Sequence, residues 1–512
     1  MKKLLQRLIE QPLVASALSR FEGSTVAKRV LSGVFWVTVG SIAVRVMGMI
    51  ASIIVARILG RELFGEFGII RNTATTFMTF ASLGLGLTAT RYVAELRNKD
   101  PVRLRRIIFL SQFCALVFGL LVAGLVFYFA SVICTEMLNA PHLIEELRVA
   151  SGLILLLSIN GAQLGALSGF EAFSKVAKVH VIAMVISLPF RILLAVYFGV
   201  LGAIFSMLIE QMVCFWLARK YLATFLGKGE RTLFANVIDS FNEYPVLLKF
   251  SIPAAISGIM VVPVRWFCST VIVRECGFSE MGLFTAAMSI QIIVLFIGTQ
   301  LNGPLLSIMS NLQNEASEQL QRFNMMASWI SASFVVITVL SFIECSEWLY
   351  GSQFSGRDFR IVLSLVMMTT SVMAYKQGLA RLMAAKNLMW FGFASNAVWA
   401  IAIIFCTLSF RRYGAIGLSL AYLISYVANT LLIMPIYFRW KLAPRETLLS
   451  KYTIVIWVVM SIQFAVVYFE APFYLRSIQF LVMLGMLVWA SLGIFNIKMS
   501  ELKKVVFPSK VI

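Results

Sequence analysis

The stretch Arg57-Ile-Leu-Gly60-Arg-Glu-Leu-Phe-Gly65-Glu-Phe67 decides the fold, because its pattern returns 217 residues later as Arg274-Glu-Cys-Gly277-Phe-Ser-Glu-Met-Gly282-Leu-Phe284. The same offset relates Gly86 to Gly303. Each copy joins two long apolar runs, so the repeated unit is a pair of membrane helices connected by a short turn. Membrane proteins built from two similar halves bind their cargo between the halves and move one half against the other. The repeat therefore predicts a transporter.

Composition supports a membrane protein. The chain has 512 residues, is 60% hydrophobic and has a mean hydropathy of +0.88. Its net charge is +20, but the basic residues crowd the connections between apolar runs, so we predict membrane lipid and not nucleic acid as a partner. Seven cysteines and two histidines show no metal-ligand spacing, so neither a metal site nor a cofactor is predicted.

The apolar runs predict an all-α integral membrane protein with about fourteen transmembrane helices. We expect two parallel six-helix repeat lobes followed by two further C-terminal helices. The predicted spans are 31–57, 67–92, 107–132, 147–168, 179–199, 200–220, 250–273, 280–306, 325–344, 360–382, 388–409, 414–438, 452–470 and 476–496.

Charge asymmetry predicts the orientation. The connections after the second, sixth and twelfth spans are rich in Lys and Arg, whereas alternate connections are short or acidic. Basic connections stay in the cytoplasm, so both termini are expected there. The acidic connection 307–324 is an exception that we expect to be tolerated.

Five regions follow from these spans. We predict a cytoplasmic amphipathic segment over 1–30, an N-lobe over 31–220, a cytoplasmic linker over 221–249, a C-lobe over 250–438, and a last helix pair with a cytoplasmic tail over 439–512.

The first helix of each lobe carries one arginine near its middle. Arg45 precedes the repeated Arg57 by twelve residues, and Arg265 precedes Arg274 by nine. A charge in the hydrocarbon core costs at least about 2.5–3.5 kcal/mol, so such residues need a reason to be there. We predict that both face one cavity from opposite walls.

Further charges extend this cationic cavity. Arg191, beside Pro189, lies deep in the fifth span, and Lys376 and Arg381 lie in the inner half of the tenth. Arg71 is expected about one turn inside the outer end of the second span. Arg71 and Arg381 could instead extend to a membrane surface, and the deep arginines could be paired structurally. The acid clearly within a span, Glu210, could serve as a counter-ion or in proton coupling.

Cations at mid-membrane suit an anionic cargo, above all a phosphate or pyrophosphate, which guanidinium groups bind through paired hydrogen bonds. The chain has no Gly-x-x-x-x-Gly-Lys-Ser/Thr loop, so direct ATP hydrolysis is not expected.

Segment 34–99 resembles the opening of the polysaccharide-type flippases in the multidrug/oligosaccharidyl-lipid/polysaccharide exporter superfamily. The residues that carry the resemblance are Val55-Ala-Arg57-Ile-Leu-Gly60, Phe64-Gly65-x-Phe67, Ser82-Leu-Gly84-Leu-Gly86, Thr90-Arg91-Tyr92 and Glu95.

This resemblance implies two six-helix lobes that alternate between inward-facing and outward-facing states. It also implies a cargo, an undecaprenyl-pyrophosphate-linked oligosaccharide flipped across the bacterial inner membrane for O-antigen, lipopolysaccharide or exopolysaccharide assembly. Polymerase and chain-length proteins of that pathway are the implied protein partners. The lipid II flippases resemble the same run but carry an Arg-Asp pair where this chain has Ala51 and Ser52, which disfavours lipid II.

Two other functions compete with this one. A cation-coupled multidrug antiporter should hold carboxylates in its cavity, yet Glu210 stands against several arginines. A membrane glycosyltransferase or polymerase would usually need a sizeable outer loop with acidic catalytic residues, and the outer connections here are short. We therefore expect a transporter without enzymatic activity.

Overall fold

The computed structural model describes residues 25–226, 260–302, 318–386, 388–440 and 450–495, together with the isolated residues Glu243, Leu305 and Met309. The predicted amphipathic helix within 1–30, nearly all of the linker and the C-terminal tail lie outside these residues.

The described N-terminal half contains five main helical segments. Asp100 begins the third of them, because its side chain accepts hydrogen bonds from the amides of Val102 and Arg103. Short helical turns at Ala130–Val132, Ile133–Met137 and Pro141–Leu143 lead into the fourth. The five are α1 (Thr25–Ser82), α2 (Leu85–Leu96), α3 (Pro101–Tyr128), α4 (Ile144–Gly169) and α5 (Phe173–Leu226).

The rest of the described chain forms ten helices. They are α6 (Val261–Cys276), α7 (Phe278–Val294), α8 (Phe296–Gln300), α9 (Glu318–Ser341), α10 (Ile343–Tyr350), α11 (Arg357–Ala385), α12 (Met389–Phe410), α13 (Gly414–Arg439), α14 (Lys451–Tyr468) and α15 (Phe473–Phe495). Turns of 3₁₀ helix at Ser352–Phe354 and Arg411–Tyr413 precede α11 and α13.

Glycines in equivalent conformations divide these helices into membrane spans. Gly60 breaks α1 at φ 75° and ψ −179°, and Gly277 separates α6 from α7 at φ 87° and ψ 177°. Gly199 breaks α5 at φ 56° and ψ −131°, and Gly414 begins α13 at φ 56° and ψ −132°. A positive φ is accessible mainly to glycine, so each pair marks the same turn in the two halves. The duplication thus reaches the last hairpin of each half.

The membrane class predicted from sequence is confirmed. Nine described segments are long and apolar enough to cross a bilayer, and Phe278–Val294 is a shorter apolar helix. Three of the nine, Ile42–Ser82, Phe173–Leu226 and Trp390–Tyr437, each contain two predicted spans. The short helix α10, which follows α9, was not predicted.

The two halves meet through the first helix pair of each. α1 packs against both α6 and α7, and it also contacts α10 and the turn Ser352–Phe354. Within the N-terminal half, α4 packs between α3 and α5. The last pair, α14 and α15, packs on α9 and α11, which shows that it belongs beside the C-terminal half.

Candidate functional site

A cationic and aromatic cluster lies within the C-terminal half. Arg265 on α6 donates a hydrogen bond from Nη2 to the Tyr426 hydroxyl on α13, 3.0 Å away. Its Cζ lies 5.9 Å from the ring centroid of Tyr422 and 6.0 Å from that of Trp399. Within the described residues Arg265 has no ion pair, and its buried Nε has no hydrogen-bond partner. The guanidinium is therefore positioned by aromatic groups without being neutralised.

Lys376 on α11 supplies a second cation to this cluster. Its Nζ donates to Oδ1 of Asn429 and lies 5.9 Å from the Tyr426 ring centroid. Asn429 is fixed in turn, because its Nδ2 donates to the Ser395 carbonyl at 2.8 Å. No carboxylate pairs with Lys376 in the part of the chain that the structure describes. Two unneutralised cations thus share Tyr426, an arrangement that attracts a ligand with more than one negative charge.

Arg45 lies in a different setting. Its Cζ is 5.0 Å from the ring centroid of Phe296, so the side chain reaches from α1 across to α8. Arg45 also borders a cavity of about 250 Å³, together with Phe173, Ala177 and His180. In the described residues it shares no partner with Arg265. A common cavity for these two arginines therefore stays a prediction.

Arg191 and Glu210 neutralise each other. The Arg191 Nη2 donates to Glu210 Oε2 across the hairpin of α5, and only 11% and 17% of the two side chains are exposed. Such a buried pair costs several kcal/mol if one partner is lost, since the other charge then stays unpaired. The geometry matches the counter-ion interpretation of Glu210.

Arg71 is deeper than predicted. The second limb of α1 starts directly after Gly60, so Arg71 lies about 16 Å along the helix from that turn, and not about one turn inside its end. Its Cζ is 5.5 Å from the Phe67 ring centroid, and it is close enough to Arg191 for electrostatic repulsion. Whether Arg71 lines the cavity or reaches a membrane surface stays a prediction.

Arg381 is held entirely by protein groups. It is 3% exposed and donates to Asn324 Oδ1 at 2.8 Å, Asn302 Oδ1 at 2.8 Å and Ser328 Oγ at 3.1 Å. Its Nη2 also donates to the Asn324 carbonyl at 2.5 Å. These partners account for its hydrogen bonds without a bound ligand, so a role of Arg381 in the cationic cavity stays a prediction. This arginine ties α11 to α9.

The repeated motif joins the two halves at one end of the molecule, which we call the turn end and define by Gly60 and Gly277. A Cβ on Gly65 would lie 1.9 Å from the Phe278 carbonyl oxygen, and one on Gly282 would lie 2.0 Å from that of Arg61. Each of these two glycines therefore lets one half approach the backbone of the other.

The arginines of the motif strengthen this contact reciprocally. Arg57 donates to the carbonyls of Trp348 and, at 2.7 Å, Leu349 in the C-terminal half. Arg274 donates to the Glu136 carbonyl in the N-terminal half at 3.2 Å. We call these bonds the arginine latch.

An ion pair adds to the latch on one side. Arg61 Nη2 donates to Glu280 Oε1 at 2.5 Å, and Glu280 Oε2 accepts from the amide of Ala415 at 2.8 Å. The turn end is therefore closed in this structure.

Sequence reasoning missed the groups that position the cations. Tyr426, Trp399 and Asn429 all lie within predicted spans, where aromatic and amide residues are read as packing. The available signal was the pair Tyr422 and Tyr426, four residues apart and therefore on one face of a helix. In the described residues no group of three His, Cys, Asp or Glu side chains could hold a metal ion.

Comparisons with known proteins agree with this architecture. Residues 30–299 match the model of the family described as polysaccharide biosynthesis protein. Stage V sporulation protein B of Bacillus subtilis (strain 168) is 22% identical over 78% of this chain and 82% of its own.

Solved structures share the fold. The lipid II flippase MurJ in an inward closed conformation superimposes with a TM-score of 0.66 at 15% identity, over 90% of this chain and 98% of its own. An inward-facing multidrug resistance MATE family transporter gives 0.54 at 14% identity, over 77% of this chain and 94% of its own. The family model covers more than half of the chain, so the chain belongs to the polysaccharide biosynthesis protein family.

Proposed function

We propose that this protein flips undecaprenyl-pyrophosphate-linked oligosaccharide repeat units from the inner to the outer leaflet of the bacterial inner membrane, for O-antigen or exopolysaccharide assembly. The observation that carries the proposal is that Arg265 and Lys376 both contact Tyr426 and that neither has a carboxylate partner among the described residues. A pyrophosphate bears the opposite charge and offers several acceptor oxygens, so it matches two adjacent cationic donors.

The cost of these cations supports a role in transport. Each charge within the bilayer costs at least about 2.5–3.5 kcal/mol, and no carboxylate among the described residues offsets it. Arg191 and Glu210, by contrast, pair with each other. In this proposal Arg265 and Lys376 grip the diphosphate, the sugars occupy an aqueous cavity, and the polyprenyl chain stays in lipid. Arg45 contributes from the other half when the two halves rearrange.

Alternating access needs one end to close while the other opens, and the latch supplies closure at the turn end. The basic connections predicted to be cytoplasmic follow the far ends of these hairpins, so we assign the turn end to the periplasmic side. Both termini are then cytoplasmic. The energy source in this proposal is an ion gradient, the membrane potential or the removal of product, and polymerase and chain-length proteins would receive the flipped unit.

A multidrug antiporter is the weaker proposal. It would bind a cationic drug or a coupling ion at a free carboxylate, but Glu210 is occupied by Arg191. A lipid II flippase would carry a lipid with the same diphosphate, and it differs from the proposed function only in the group attached to that diphosphate.

The test is reconstitution in proteoliposomes with lipid-linked repeat units, and with lipid II in parallel. We expect Arg265→Ala and Lys376→Ala to abolish flipping at unchanged abundance, because each removes a diphosphate donor. The exposed Arg412→Ala is the matched loss of one positive charge outside the cluster. Full flipping rates in both cluster variants would refute the proposal, and preferential flipping of lipid II would replace the cargo.

A further inference from the structure

A cavity of about 570 Å³ opens at the turn end, and none of its lining residues belongs to the cationic cluster. Its size lies within the range typical of small-molecule sites, about 300–1,000 Å³. Arg57 and Gly60 of α1 form one wall, and Trp348, Ser352 and Gln353 form the other. Neither half alone contains this cavity.

The charges around the cavity are already committed. Glu347 receives two hydrogen bonds from Arg360, from Nε at 2.8 Å and from Nη2 at 2.9 Å. Glu344 is paired with Arg476. Arg57 donates to main-chain carbonyls in the latch. Both acids are thus paired with arginines outside the cavity, and the Arg57 guanidinium is oriented by carbonyls, so we take a neutral polar ligand as the occupant.

An aromatic surface and exposed hydrogen-bonding groups border the cavity. The Trp348 side chain is 74% exposed, and the Arg57 Cζ lies 5.8 Å from its ring centroid. Exposed hydroxyl and amide groups of Ser352, Gln353 and Ser355 border the same space. A flat apolar ring beside donors and acceptors fits a sugar, which has one face of C–H groups and an edge of hydroxyls.

The cavity lies between the two halves, so a bound ligand would affect the closure of the turn end. Gln353 also joins the halves, because its Oε1 accepts from the Arg61 amide at 2.9 Å. The cavity therefore exists only while the turn end is closed, and a ligand that binds there stabilises the closed state.

We propose that this cavity is a second saccharide site, which binds neutral oligosaccharide from the medium at the turn end and slows transport by holding that end closed. The proposal rests on the proposed function for the direction of transport, but the binding itself does not. Flipped glycan that accumulates would then inhibit further flipping.

The experiment uses the oligosaccharide released by mild acid from the host's lipid-linked repeat units. Binding to the full-length purified protein is measured by calorimetry, and flipping is measured with this sugar added on the turn-end side or the opposite side. We expect binding, and inhibition only from the turn-end side. Trp348→Ala should weaken both by about two- to tenfold, the value of one aromatic contact, and Trp348→Phe should restore them partly.

Trp390→Ala is the matched control, because this tryptophan is 81% exposed and does not line the cavity. Each variant is compared with its own rate in the absence of sugar. No binding, or equal effects of the two alanine variants, would overturn the inference and make Trp348 a membrane-interface anchor. If the sugar binds but nothing is flipped, the second site stands and the proposed function falls.

Discussion

Replacing Gly65 by alanine should open the turn end. The new Cβ would lie 1.9 Å from the Phe278 carbonyl oxygen, 2.8 Å from its carbon and 2.8 Å from the Gly282 nitrogen. All three are backbone atoms, so no side-chain rotation can relieve the clash. The two helices must separate by more than about 1 Å to restore ordinary contact distances.

The magnitude follows from the cost of overpacking. An extra methyl in a close contact costs about 1–3 kcal/mol, which corresponds to an about 5- to 150-fold change in an equilibrium between two conformations. Only the closed state contains this contact, so the open state gains by that factor. We therefore expect Gly65→Ala to convert a closed population into a mixture or a mainly open one.

Double electron–electron resonance measures this directly. Spin labels at Leu63→Cys and Tyr413→Cys, both exposed and on opposite halves, report the width of the turn end once the seven native cysteines are replaced. Gly124→Ala is the control, because nothing lies within 4 Å of its added Cβ. A distance distribution in Gly65→Ala that equals the control would refute the assignment of this contact as the closing surface.

Three further predictions concern paired or bound charges. Arg191→Leu or Glu210→Gln alone should reduce membrane abundance, since a lone charge in a buried pair costs about 3–5 kcal/mol, whereas Arg191→Leu with Glu210→Leu should restore it on immunoblots. An abundant but inactive Glu210→Gln would instead identify a proton-coupling group. Burial raises the pKa of Glu344, but the hydrogen bond from Arg476, a backbone hydrogen bond and the charges of Arg476 and Arg360 together outweigh it. The pKa therefore lies below the ordinary 4.5, and the pair stabilises the protein fully above that pH. Glu344→Gln should therefore lower the melting temperature at neutral pH and reduce the loss of stability on acidification; an unchanged melting curve would show that the pair is dispensable. Arg381→Met should lower abundance as well as transport, because it leaves three side-chain acceptors unpaired, and normal abundance would contradict a structural role.

Repetition and hydrophobicity were sufficient to predict most of the fold. The shared spacing from Arg57 to Phe67 placed the first hairpin of each half, and apolar length placed the spans. The sequence also holds a second repeated spacing, in Gly199-Val-Leu-Gly202 and Gly414-Ala-Ile-Gly417. These two segments form the last hairpin of each half, and their first glycines share the same positive φ.

The chemistry of the site was less predictable, because it depends on contacts between distant residues. Depth in a span identified Arg265 and Arg191 as costly charges, and it placed Arg381 nearer to a helix end. Their environments differ because of partners that sequence spacing does not reveal. Arg191 pairs with Glu210 across a hairpin, and Arg381 donates to Asn324 on another helix. Arg265 differs from both, because its guanidinium donates to an aromatic hydroxyl and pairs with no acid in the described chain.

The arginine latch has a consequence for how such proteins diversify. Arg57 binds main-chain oxygens of α10, and Arg274 binds one in the helical turn Ile133–Met137; every amino acid carries that oxygen. The side chains of these two segments are therefore free to change through evolution while these closing bonds are preserved. Under the proposed function, the residues that face the glycan at this end can change together with the glycan, while the bonds that close the turn end stay the same.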